Sequence, residues 1–173
     1  GTIWRWNRPL IGFDESGKPH LRIEHRVVPA GPTVIDSIAN AALFYGVLES
    51  MANAETAPET RLGFEQARKN FYAAAKHGLN AEVVWLDGKK VPILSLLQQQ
   101  ILPMARQGLE KLGVDSDDAE LFLGVIEGRI KKQTNGAVWQ RAYVARHGAD
   151  MVHLTQAYHE RQQQGLPVHE WSW

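Results

Sequence analysis

The sequence predicts an α+β fold, predominantly helical, with a small antiparallel sheet. Three observations predict it. Short runs with period-two alternation fill the first 28 residues. Apolar residues then recur at helical spacing from residue 33 onward. A second pair of short strand-like stretches is folded back around Asp87-Gly88. Paired strands beside a run of helices, without regular β-α alternation, give α+β.

Each element follows in order. IWRWNR (residues 3 to 8) alternates and is rich in aromatics, so it reads as a strand. FDESGK (13 to 18) supplies turn chemistry through Asp14, Ser16 and Gly17. The run 20 to 28 is a second strand, pairing with the first as an antiparallel hairpin. Its apolar residues are expected to be buried. Thr33, with Asp36 three residues on, is a box-like helix start favoured by the dipole. The helix it opens, TVIDSIANAALFYGVLESM, is apolar on more than one side and is expected to be mostly buried.

A second helix is predicted over 61 to 77, ended by Gly78. AEVVWLDGKKV (81 to 91) reads as a short hairpin. A third helix over 92 to 112 would turn Ile93, Leu97, Ile101, Met104 and Leu112 inward, with a kink at Pro103 and an end at Gly113. Asp115 or Ser116 caps a fourth, where Phe122, Val125, Ile126 and Ile130 recur at helical spacing. Shorter helices near 136 to 146 and 149 to 164 precede LPVHEWSW. The whole is read as a single domain over 1 to 173, with a strand hairpin at 3 to 28 and a helical remainder at 33 to 165.

Composition narrows the function. A chain of 173 residues, 44% hydrophobic, can bury a real core. Its 19 basic and 19 acidic residues balance, which argues against a general nucleic-acid surface and gives no anionic-membrane patch. No apolar run is long enough to span a bilayer, and no signal-peptide pattern opens the chain. The absence of Cys excludes disulfides, thiolate metal sites and Cys nucleophiles, and fits the expected cytoplasmic location. GxxxxGK[ST], GxGxxG and HExxH are all missing. His153 and His159 are six apart, which does not put them on one helix face. Oligomeric state stays open, a homo-oligomer included.

The charged stretch is LRIEHR. Arg22, Glu24 and Arg26 alternate, so they share one strand face, while Leu21, Ile23, His25 and Val27 share the other. Same-face neighbours lie about 6.5–7 Å apart. That spacing suits a carboxylate and guanidiniums meeting around an ion or phosphate. A carboxylate can ligate Mg²⁺ and Arg can clamp phosphoryl oxygens, which is what phosphoryl transfer demands. A solvated face carrying ion pairs to Arg5 or Arg8 of the partner strand fits the same pattern. His25, on the apolar face, reads as a core histidine with one hydrogen-bond partner. TNGAVWQR either brings Trp139 and Gln140 to a ligand or caps a helix and packs Trp139 in the core. Trp4, Trp6 and Trp85 fall in strands and Trp171 and Trp173 in the tail, as packing or interface residues.

LRIEHRVVPAGPTVIDSIANAALFYG resembles the glutamate–cysteine ligase family of the second class, the carboxylate–amine ligases. The resemblance continues through LDGKKVPILSLLQQQILPMARQGLEKLGV, EGRIKKQTNGAVWQR and QGLPVHEWSW, so it covers nearly the whole chain. It implies a glutamine-synthetase-like catalytic fold in which ATP and Mg²⁺ activate a glutamate-like carboxylate as an acyl phosphate for attack by an amine. It implies that Glu24 is a metal ligand, that Arg26 faces the transferring phosphoryl group in the nucleotide site, and that Arg22 assists. The family's catalytic domain is longer and draws most of its metal-binding carboxylates from an N-terminal part. This chain is therefore expected to be a C-terminal portion that meets that part and is inactive alone. A non-enzymatic helical interaction or structural domain is the alternative.

Overall fold

In a computed structural model, which describes residues 7–27 and 30–172, the chain divides into two units, Gly1–Ala30 and Gly31–Trp173. The first contains a hairpin of β1 (Asn7–Phe13) and β2 (Pro19–His25). The strands are antiparallel, with Arg8 opposite Glu24 and Leu10 opposite Arg22. Asp14 builds the turn: its Oδ1 accepts from Ser16 N at 2.9 Å, Ser16 Oγ at 2.6 Å and Lys18 N at 2.9 Å. Gly17 supplies the positive φ of 79°. The first strand thus runs further toward the turn than IWRWNR suggests, and residues 3 to 6 lie outside the described ones. Pro9 is accommodated because each strand of a two-stranded sheet is an edge.

The second unit is a helical layer. It contains α1 (Val34–Ala52), α2 (Pro58–Arg61), α3 (Phe64–His77), β3 (Glu82–Val84), β4 (Lys90–Pro92) and α4 (Ile93–Leu96). A π turn (Leu97–Ile101) leads to α5 (Leu102–Lys111), α6 (Ser116–Lys131), α7 (Gly136–His147) and α8 (Met151–Gln163), and a 3₁₀ turn (Val168–Glu170) closes the order. No described helix is long and apolar enough to cross a membrane. The fold is α+β with helix dominant, as the sequence predicts.

The main core lies between α1, α5 and α6, around Ala39, Leu102, Ala105, Leu109, Leu123 and Ile126. Helices α1 and α5 approach backbone to backbone. A Cβ on Gly108 would collide with the carbonyl oxygen of Gly46, and one on Gly46 with that of Ala105. Ser50 Oγ donates to Met104 O across the same contact at 2.7 Å. A second cluster forms where Val83 of the β3–β4 hairpin meets Leu96 and Ile101. Asn70 of α3 imitates a neighbouring strand there, donating to Val84 O at 2.6 Å and accepting from Val84 N at 3.0 Å.

Asp36 joins the ends of the unit. It is fully buried. It completes a capping box with Thr33 at the start of α1. Arg129 of α6 donates to Asp36 Oδ1 through Nη2 at 2.5 Å and Nε at 3.2 Å, and to Asn40 Oδ1 through Nη1 at 2.7 Å. Val168 N donates to Asp36 Oδ2 at 3.1 Å, which fastens the C-terminal segment to the first helix. That segment packs Val168 and Trp171 on Trp139, the third cluster.

Three expectations are corrected. The helix over 92 to 112 is continuous, but the π turn sits just ahead of Pro103. A wider turn gives the proline ring room where an α turn would clash, and its extra residue shifts the helix phase by one position. The inward residues downstream are accordingly Leu102, Ala105 and Leu109, while Met104 is half-buried and Leu112 exposed. Helix α1 buries only its inner face; Val34 (79%), Ile38 (43%), Tyr45 (57%) and Leu48 (49%) stay exposed. The apolar face of the first hairpin is open as well: Ile11, Phe13, Leu21 and Ile23 are all exposed. A two-stranded ribbon is one layer and cannot cover its own apolar side.

Two stability outcomes follow. Asp36→Ala should cost about 3–5 kcal/mol in urea unfolding, because it strands the buried Arg129 charge. Gly108→Ala should cost about 1–3 kcal/mol by forcing α1 and α5 apart. Loss below 1 kcal/mol in either variant would show that the contact contributes less than its burial implies.

Candidate functional site

The charged face of the first hairpin is the candidate site. Antiparallel pairing puts directly opposed residues on the same face, so Arg8, Gly12, His20, Arg22 and Glu24 lie together. Glu24 accepts from Arg8 Nε at 2.8 Å through Oε2, and Arg8 Nη2 lies 2.7 Å from the same oxygen. Arg26 Nη2 lies 3.0 Å from Oε1. Glu24 is therefore held between two guanidiniums, one across the ribbon and one just past the end of its own strand.

Arg22 is different. Among the described residues it has no carboxylate partner within ion-pair distance. Its guanidinium lies across Gly12: a Cβ there would sit 2.6 Å from Arg22 Nη2 and 2.7 Å from His20 Nε2. Gly12 is buried beneath these side chains. The sequence points to Arg22, Glu24 and Arg26, and the structure puts Arg26 and Glu24 in contact, with Arg22 two residues away on the same strand. Arg8 was legible only as a cross-strand ion-pair partner. Gly12 and His20 were not read, although their even spacing from Arg8 and Arg22 was the available signal.

The Glu24 carboxyl is held below the usual glutamate range, first by the Arg26 hydrogen bond and then by Arg8. Glu24 is thus ionised at neutral pH. A depressed carboxylate contributes stability above its unfolded value, and that contribution fades as pH falls through the folded one. On the other face His25 is half-buried rather than in a core, with Nδ1 2.7 Å from Asn7 Oδ1. Partial burial pushes its imidazole pKa down.

These residues suit one group better than another. Two guanidiniums on one carboxylate, with a third close by on the same strand, offer fork-shaped donors and net positive charge suited to phosphate oxygens. A Mg²⁺ ion needs several oxygen ligands. Among the described residues no three His, Asp or Glu are placed to hold a metal ion, so this face by itself does not make a magnesium site.

Elsewhere, TNGAVWQR takes its structural role. Asn135 caps α7, accepting from Val138 N at 3.0 Å. Trp139 is 1% exposed, and its Nε1 donates to Ser172 O at 3.0 Å. Gln140 is exposed. Trp171 is buried edge-on to Trp139. Trp85 is half-buried in the turn after β3. Trp4, Arg5, Trp6 and Trp173 lie outside the described residues. Compared with protein-family models, curated proteins and solved structures, the chain matches none.

In an acid titration followed by carboxyl-carbon NMR, Glu24 should titrate below the ordinary glutamate value of about 4.3. Arg26→Ala should raise that midpoint more than Arg8→Ala does. The reverse order would make the cross-strand pair the stronger one.

Proposed function

We propose that this chain is part of an ATP- and Mg²⁺-dependent carboxylate–amine ligase of the glutamate–cysteine ligase type, working in the cytoplasm. The reading rests on the resemblance together with one observation. Arg8 and Arg26 hold Glu24 on an exposed ribbon face, and Arg22, two residues along, lacks a carboxylate partner among the described residues. Such a face carries net positive charge and fixed donors, the provision that phosphoryl transfer requires.

Each residue has a role in this reading. Arg26 and Arg22 orient and neutralise the phosphoryl oxygens as the phosphate passes from ATP to a glutamate-like carboxylate. Glu24 fixes Arg26 and Arg8 in place through its two oxygens and is offered to the metal as one ligand. Magnesium, when bound, would supply charge shielding on the nucleotide, with its remaining ligands coming from elsewhere. The amine then attacks the acyl phosphate, and phosphate leaves. The 173-residue chain alone is not expected to form ADP.

The test is ADP formation with glutamate and an amine by the ligase that contains this chain. Glu24→Ala and Arg26→Ala should each lower kcat by about 10²-fold or more. Near-normal turnover in both would remove the ribbon from the site. The open apolar face of Ile11, Phe13, Leu21 and Ile23 favours a second reading, an interaction domain that binds a protein partner without nucleotide. Nucleotide-independent partner capture, with no heat of ATP–Mg²⁺ binding to the ligase, would support that reading over the first.

A further inference from the structure

Helix α1 carries two apolar faces. Its inner face, through Ala39, Leu43, Gly46 and Val47, packs on the rest of its unit. Its outer face carries Val34, Ile38, Ala41, Tyr45, Leu48 and Ala52. Their spacing is 4-3-4-3-4, which is the heptad seam of a coiled coil. Four of the six are the exposed large residues named above, and Ala52 is exposed too. The charged residues of α1 are Asp36, which points inward, and Glu49. An outward helix face this apolar is expected to be covered in the working protein.

The seam is complementary to itself in one orientation. When two copies are laid antiparallel about residue 43, Val34 falls opposite Ala52, Ile38 opposite Leu48, and Ala41 opposite Tyr45. Two of these three layers set a large side chain against alanine, so bulk meets space along the seam. Every layer pairs an a position with a d position, the register an antiparallel coiled coil uses. The arrangement is isologous, each layer occurring twice about the twofold axis. Antiparallel pairing also sets the positive N-terminal end of one helix, which holds Asp36, beside the negative C-terminal end of the other, whose last turn has no basic residue. A parallel pair would stack Tyr45 on Tyr45 and alanine on alanine, leaving alternate clashes and gaps.

We infer that the outer seam of α1 is a homodimer interface, formed antiparallel with the α1 of a second copy of this chain. The site described above plays no part in it, and the inference stands whether or not the ligase reading does.

The experiment is sedimentation of the chain over a range of concentrations. The native chain should reach twice its 19.4 kDa mass. Leu48→Glu and Tyr45→Glu should each return it to the monomer mass. Because both positions are exposed, helical circular dichroism should be unchanged in both variants, which separates lost pairing from lost folding. The chain has no Cys, so introduced thiols report cleanly. A mixture of the Val34→Cys and Ala52→Cys proteins should cross-link to each other through a short thiol-reactive linker, while Val34→Cys alone should not, because antiparallel pairing sets it about 27 Å along the axis from its own copy. A native chain that stays monomeric at every concentration would assign the seam to a different chain and overturn the inference. So would a dimer that survives Leu48→Glu, or predominant cross-linking of Val34→Cys to itself.

Discussion

The helical unit depends on one buried carboxylate. Asp36 would be costly in an apolar interior without partners, and it is stabilised there by donors from three separate parts of the chain. Thr33 closes the start of α1, Arg129 ties α1 to α6, and Val168 N brings the C-terminal segment to the same oxygens. Because these donors arrive from 93 and 132 residues away, the carboxylate is satisfied only when the whole unit is assembled. The aromatic cluster of Trp139, Tyr158 and Trp171 is tied to the same fastening, since Val168, whose N–H bonds Asp36, packs within it. Gln162 reinforces it by donating to Pro32 O at 2.8 Å.

The first hairpin solves a different problem. On its polar face the Glu24 carboxylate is fully paired, between two guanidiniums, while Arg22 lies beyond that pair. Gly12 accommodates Arg22 and His20 from the opposite strand, since a Cβ there would force both side-chain ends to shift. The apolar face has no such internal solution. A ribbon with one net-positive side and one open apolar side is built to be completed by something laid against it. The proposed nucleotide and the proposed protein partner address opposite sides of that ribbon.

The legible parts of the fold were local. Helix caps at Thr33, Asp115 and Asn135 and stops at Gly78 and Gly113 lie where the sequence signals them, since each is a contact within one turn. The alternation of Arg22 and Glu24 puts both on one face, because strand geometry is a property of the strand itself, and Arg26, just past the strand's end, reaches Glu24 as well. Asp36 was visible as a cap residue and invisible as a buried hub: nothing in EGRIKK or LPVHEW announces that Arg129 and Val168 will reach it. The π turn was equally hidden. Pro103 signals a disturbance, but whether the helix bends or widens depends on how α5 must seat against Gly46.

The sequence by itself determined the fold class, the order of the main helices and hairpins, the caps at Thr33, Asp115 and Asn135, and the face shared by Arg22 and Glu24. These follow from backbone sterics and from side chains acting within a few residues. Only the tertiary structure decided which apolar faces are covered. Helix α1 is apolar nearly all round, and the chain alone does not distinguish the face that meets α5 from the face left open. That distinction is made by Gly46 and Gly108, whose missing side chains let two backbones close together and so turn Val34, Ile38, Tyr45 and Leu48 outward.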